Sequence, residues 1–99
     1  MLFVTTVRMR TEIDEEFHKE LEELTLKPPK GVDFHELFYT LGRYDIIMCY
    51  EAPSEKEALT VALFFADRAA TETSVAIPLE EASQLLSKHT REKREPYEA

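Results

Sequence analysis

The stretch that most constrains the fold is Phe38-Tyr39-Thr40-Leu41-Gly42-Arg43-Tyr44-Asp45-Ile46-Ile47-Met48-Cys49-Tyr50-Glu51-Ala52-Pro53. Aromatic and β-branched residues on either side of a lone glycine read as two antiparallel strands that reverse at Gly42-Arg43 and stop at Pro53. With Gly42 first in a two-residue turn, Leu41 pairs with Tyr44, Tyr39 with Ile46, Leu37 with Met48 and His35 with Tyr50. These eight side chains then share one face of the sheet. Phe34, Glu36, Phe38, Thr40, Asp45, Ile47, Cys49 and Glu51 fall on the other.

The remaining elements arrange themselves around this hairpin. Residues 2–10 are rich in β-branched side chains and read as a first strand, apolar at both parities where it begins. Asp14 or Thr11 can cap a helix whose apolar stripe is Phe17, Leu21 and Leu24, and Pro28-Pro29-Lys30-Gly31 ends it. Ser54 and Glu57 form a capping box for a second helix. That helix is expected to be apolar over much of its circumference, through Ala58, Leu59, Ala62, Leu63, Phe65, Ala66 and Ala69. A fourth strand spans 71–77, and Pro78 opens a third helix with the stripe Leu79, Ala82, Leu85 and Leu86, which Pro96 is predicted to stop.

The order β-α-β-β-α-β plus a terminal helix predicts an α+β, ferredoxin-like fold, a four-stranded antiparallel sheet with two helices on one face. A single domain over residues 1–95 is expected, with a frayed tail at 96–99. Strands apolar at both parities leave an uncovered face ill suited to water, which predicts a homodimer or higher oligomer closing a barrel between two sheets.

Charge narrows the partners. Across 99 residues the net charge is −8, which opposes binding to nucleic acid or to an anionic membrane surface. Lys88, Arg91, Lys93 and Arg94 make a basic stretch, yet Glu92 and Glu95 dilute it. The acidic run from Glu12 to Glu23 lacks the interleaved Asp and Gly of a calcium loop and reads as a solvated helix face. No run is apolar enough to span a bilayer, no signal-peptide pattern precedes the first strand, and Cys49 is the only cysteine, so a cytoplasmic protein is expected. The absence of Asn, a single Gln and 32% charged residues form a composition that thermophile proteins share.

Phe38-Tyr39-Thr40-Leu41-Gly42-Arg43-Tyr44-Asp45, then Glu51-Ala52-Pro53, then Thr71-Glu72-Thr73, resembles the GYD family, whose signature is carried here by Gly42, Tyr44 and Asp45. The resemblance covers residues 36–77. The glycine usual in the family between second helix and fourth strand is replaced by Arg68-Ala69-Ala70, and the terminal helix looks like an addition. The resemblance implies a ferredoxin-like, dimeric α/β-barrel fold similar to ligand-sensing domains of Lrp/AsnC-type regulators. It implies no established activity and therefore no catalytic residues.

The residues themselves offer a His and three Tyr interleaved with apolar side chains on the face shared by the hairpin strands, which suits a cavity wall with a few polar handles. His35, Tyr39, Met48 and Tyr50 are the expected ligand-lining set, and Arg8 or Arg43 would meet a carboxylate. The leading reading is a dimeric small-molecule-binding or sensing module, with the ligand between sheet and helices or inside the barrel. A cofactor-free isomerase or monooxygenase using His35 or Tyr50 as proton carrier is the first alternative, by analogy of fold alone. An assembly protein with a filled barrel is the second. No P-loop, dinucleotide fingerprint or metal-spacing motif is present, so neither a metal nor a cofactor is expected.

Overall fold

The computed structural model describes residues 1–97, with side chains through Thr90. Its elements are β1 (Leu2–Met9), α1 (Glu15–Leu26), β2 (Asp33–Tyr39), β3 (Ile46–Glu51), α2 (Glu55–Phe65), β4 (Ala69–Ala76) and α3 (Leu79–Tyr97). The strands form one sheet in the order β2-β3-β1-β4, with every neighbouring pair antiparallel. Helices α1 and α2 contribute their buried residues to the core on one face of it, so the fold is ferredoxin-like α+β.

Both predicted caps form. Asp14 accepts a hydrogen bond from the Phe17 N–H at 2.9 Å and starts α1. The Ser54 hydroxyl accepts from the Lys56 N–H and donates to Glu57, locking the first turn of α2. Phe17 and Leu21 of α1, with Ala58, Val61 and Phe65 of α2, close over Phe3, Val7, Ile46, Met48 and Tyr50 of the sheet. Arg68 ties the two helices together. Its guanidinium pairs with Glu20, donates to the Phe64 carbonyl at 3.0 Å and lies over the rings of Phe17 and Phe64. Arg68 thus occupies the junction where the family resemblance led one to expect a glycine.

The buried Tyr50 hydroxyl is satisfied by Thr5 Oγ1 at 2.8 Å, and Thr5 is in turn 2.8 Å from Thr73 Oγ1. Thr5→Val keeps the shape but leaves the Tyr50 hydroxyl unpaired in an apolar core. The expected loss is about 1.5 kcal/mol in denaturant unfolding. Thr5→Val combined with Tyr50→Phe should recover most of it, because the one hydroxyl that still loses its partner, that of Thr73, belongs to an exposed residue that water can reach.

Three local expectations are corrected. First, Gly42-Arg43 is not a two-residue turn: the strands end at Tyr39 and restart at Ile46, and the Thr40 N–H donates to the Asp45 carbonyl across a wider loop. Gly42 still supplies a backbone that other residues adopt rarely, at φ 115°. Second, the register slips between Phe34 and Glu36, so Phe34, not His35, stands opposite Tyr50. This β-bulge leaves Tyr39 with Ile46 and Leu37 with Met48 as expected but separates His35 from them. Third, α3 runs through Pro96 to Tyr97 instead of stopping there. Of the tail expected at 96–99, residues 98 and 99 lie outside the described residues.

Candidate functional site

Strand β2 is an edge of the sheet, and α1 runs beside it. Tyr39 ends β2, and its hydroxyl lies 2.6 Å from Nδ1 of His18 on α1, the two rings 5.6 Å apart between centroids. One helical turn further along α1, Glu22 places Oε1 3.8 Å from His18 Nε2. This Tyr39–His18–Glu22 row stands in an open groove of about 790 Å³ whose wall adds Ile13, Asp14, Glu15 and Lys19. The same three side chains border a smaller recess of about 280 Å³ with Leu21, Leu37, Phe38 and Ile46 as its apolar lining.

Partial burial holds the Tyr39 phenol above its ordinary pKa, and the Glu22 carboxylate raises it further. The phenol therefore keeps its proton, and with its hydroxyl 2.6 Å from Nδ1 of His18 it donates to that nitrogen in the tautomer that carries the imidazole proton on Nε2, the nitrogen facing Glu22. Tyr39 is thus a poor base, in a groove whose wall carries Asp14, Glu15 and Glu22 against Lys19. A raised folded value also fixes a sign for stability. The contribution is complete below the unfolded tyrosine value of about 10 and is lost as the pH rises through the folded value. In denaturant titrations between about pH 9 and 11, Tyr39→Phe should therefore flatten the alkaline decline.

The opposite face of the sheet carries no helix from the core pair. Cross-strand pairing sets Phe38, Ile47, Thr6 and Glu72 in one row, and Glu36, Cys49, Val4 and Ser74 in the next. Arg8 extends this face opposite Ala70, and Leu2 lies between Glu51 and Ala76. Thr6 Oγ1 is buried with no hydrogen-bond partner among the described residues. At one corner, the bulge places His35 Nε2 3.7 Å from Asp33 Oδ2 and 3.9 Å from Glu51 Oε2. These are the three side chains among the described residues that could together hold a metal ion, with donor atoms within 4.8 Å of one another, and all are exposed.

The expected ligand-lining residues do not converge. Tyr39 borders the α1–β2 groove; His35 and Arg8 lie on the uncovered face; Met48 and Tyr50 are fully buried beneath the helices. Arg43 sits at the loop tip with its guanidinium 5.7 Å from the Tyr44 ring. The cause is the bulge together with tight packing: Met48 and Tyr50 touch core, not cavity. His18 and Glu22 were missed. The available signal was their i, i+4 spacing flanking Leu21 on the apolar side of α1, where a helix meets the sheet edge.

The signature residues hold the hairpin to β1. Asp45 Oδ2 accepts from the Met9 N–H at 2.7 Å, the Asp45 N–H donates to the Val7 carbonyl at 2.8 Å, and the Thr40 hydroxyl donates to the Tyr44 carbonyl at 2.6 Å. The Tyr44 hydroxyl reaches across β1 to Glu72 at 3.4 Å.

Among the described residues no helix is long and apolar enough to cross a membrane. Searches of curated proteins and of solved structures return no match. The model of the GYD domain matches residues 4–86, well beyond the hairpin and its neighbours. The chain belongs to the GYD domain family.

Proposed function

We propose that the protein is a small-molecule-binding module whose ligand lies in the groove between α1 and β2. The observation that carries this reading is the Tyr39–His18 pair, hydrogen-bonded at 2.6 Å beside an apolar recess at the edge of the sheet. The groove's chemistry favours an organic cation. Asp14, Glu15 and Glu22 outnumber Lys19 on the wall, Tyr39 and His18 offer aromatic faces, and Ile13 and Leu37 receive an apolar body. The protonated phenol supports binding over base catalysis, since a general base needs a pKa near the working pH.

Titration with a series of aromatic amines and their isosteric carboxylic acids, followed by NMR and calorimetry, tests this. Amines are expected to bind and acids to fail. Glu22→Gln and His18→Ala should each weaken the amine by about tenfold, the effect of losing roughly 1.4 kcal/mol. Acids binding as well as amines, or binding unchanged in both variants, sinks the reading.

A second reading concerns the uncovered sheet face. Half-buried Val4, Leu2 and Ile47 beside the unpartnered Thr6 hydroxyl favour a homodimer packed through this face, closing a barrel. Arg8 and His35 would then border the inter-sheet space, and a ligand carboxylate there would meet Arg8.

A further inference from the structure

The bulge that takes His35 away from Tyr50 gives it other neighbours. Phe34 stands opposite Tyr50 and Leu37 opposite Met48, both pairs on the core side. The two exposed residues between them, His35 and Glu36, therefore both turn to the uncovered face. Asp33, the first residue of β2, is paired directly with Glu51, the last of β3. Like charges directly opposite one another weaken a strand pair. Neither carboxylate is paired with a Lys or Arg among the described residues. Both instead face His35, whose Nε2 lies 3.7 Å from Asp33 Oδ2 and 3.9 Å from Glu51 Oε2.

Two carboxylates and an imidazole are a mixed donor set that suits divalent transition ions, whereas Mg²⁺ and Ca²⁺ prefer oxygen alone. A tetrahedral zinc ion with ligands at about 2.0 to 2.1 Å sets its donor atoms about 3.3 to 3.4 Å apart. The three donor atoms here lie within 4.8 Å of one another and need to close by roughly 0.3 to 1.5 Å. All three side chains are exposed, so rotation about their own bonds supplies that movement while the strand pairing stays fixed. Spacing in the sequence does not announce the cluster: Asp33 and His35 are close along β2, but Glu51 joins them only through cross-strand pairing.

We propose that Asp33, His35 and Glu51 bind a divalent transition-metal ion of the zinc type, one donor atom from each, with water completing its coordination. The ion exchanges the repulsion between Asp33 and Glu51 for two attractions and clips the start of the edge strand β2 to the end of β3. The site lies on the sheet face opposite the helices and does not rest on the reading of the α1–β2 groove.

Zinc titration of the full-length chain tests it, at about 0.15 M salt to screen the net charge of −8. By NMR the ring signals of His35 should move before those of His18 and His89, and calorimetry should give one ion per chain. Zinc should also raise Tm, because it binds the folded chain. His35→Ala and Glu51→Gln alter exposed positions, so both should keep the parent's circular dichroism while weakening zinc by about tenfold or more. Mg²⁺ and Ca²⁺ at the same concentration should leave the zinc in place. Ring signals of His18 or His89 moving first would assign the ion to another part of the chain and overturn the proposal. Zinc affinity unchanged in both variants, calcium binding as tightly as zinc, or a His35 ring unmoved by excess zinc would each reduce the cluster to a charged surface and overturn it as well.

Discussion

Asp45→Ala is expected to destabilise the fold by about 2 to 3 kcal/mol, the range for losing a hydrogen bond to a charged acceptor and leaving its partner unpaired. The partner is the Met9 N–H at the end of β1, bonded to Asp45 Oδ2 at 2.7 Å. For a domain of this size that corresponds to a fall in Tm of roughly 10 to 20 °C. Asp45→Asn keeps an oxygen acceptor of the same shape and should recover about half of the loss, whereas Arg43→Ala at the exposed loop tip should stay within about 0.5 kcal/mol. Thermal and denaturant unfolding of the three variants makes the comparison. An Asp45→Ala protein as stable as the parent would show that the signature is not a lock between hairpin and β1.

That lock explains a pattern of legibility. Gly42, Tyr44 and Asp45 were readable as a turn because their chemistry is local: a positive φ, a short polar side chain, a strand on either side. The caps at Asp14 and Ser54 were readable for the same reason, and the element order followed from them. The loop's width was not, since it depends on Asp45 reaching β1, a partner 36 positions away. The bulge at His35 left no mark either. Phe34, Leu37 and Phe38 are apolar on both faces, so alternation could not fix the register, and one slipped residue removed His35 from the predicted set. The groove suffered from the same distance effect. His18 and Tyr39 lie 21 positions apart on a helix and a strand, and only the docking of α1, set by Phe17 and Leu21 in the core, brings them within 2.6 Å.

Val4→Glu is the variant with the largest expected effect on assembly. Val4 sits mid-strand on the uncovered face, between Cys49 and Ser74, so the substitution leaves the core beneath the helices untouched. Within one copy the change places a carboxylate on a solvent-facing surface, and monomer stability should move by less than about 0.5 kcal/mol. Across a two-fold axis it sets like charges against each other, at a cost of several kcal/mol, which weakens association by on the order of a hundredfold or more. Light scattering at micromolar concentration should therefore show a smaller particle for Val4→Glu than for the parent. Val4→Ile, which only adds apolar surface, should leave the parent mass in place. The contrast matters because the two faces make different demands: the helix-bearing face closes with Phe3, Met48 and Tyr50 buried, while its neighbour keeps Thr6 Oγ1 unpaired. A second sheet laid across it would supply both the apolar cover and a donor or acceptor for that hydroxyl. A parent protein that is monomeric through its sheet face, with Val4→Glu indistinguishable from it, would mean that this face is tolerated in water and that Arg8 and His35 border solvent rather than a barrel.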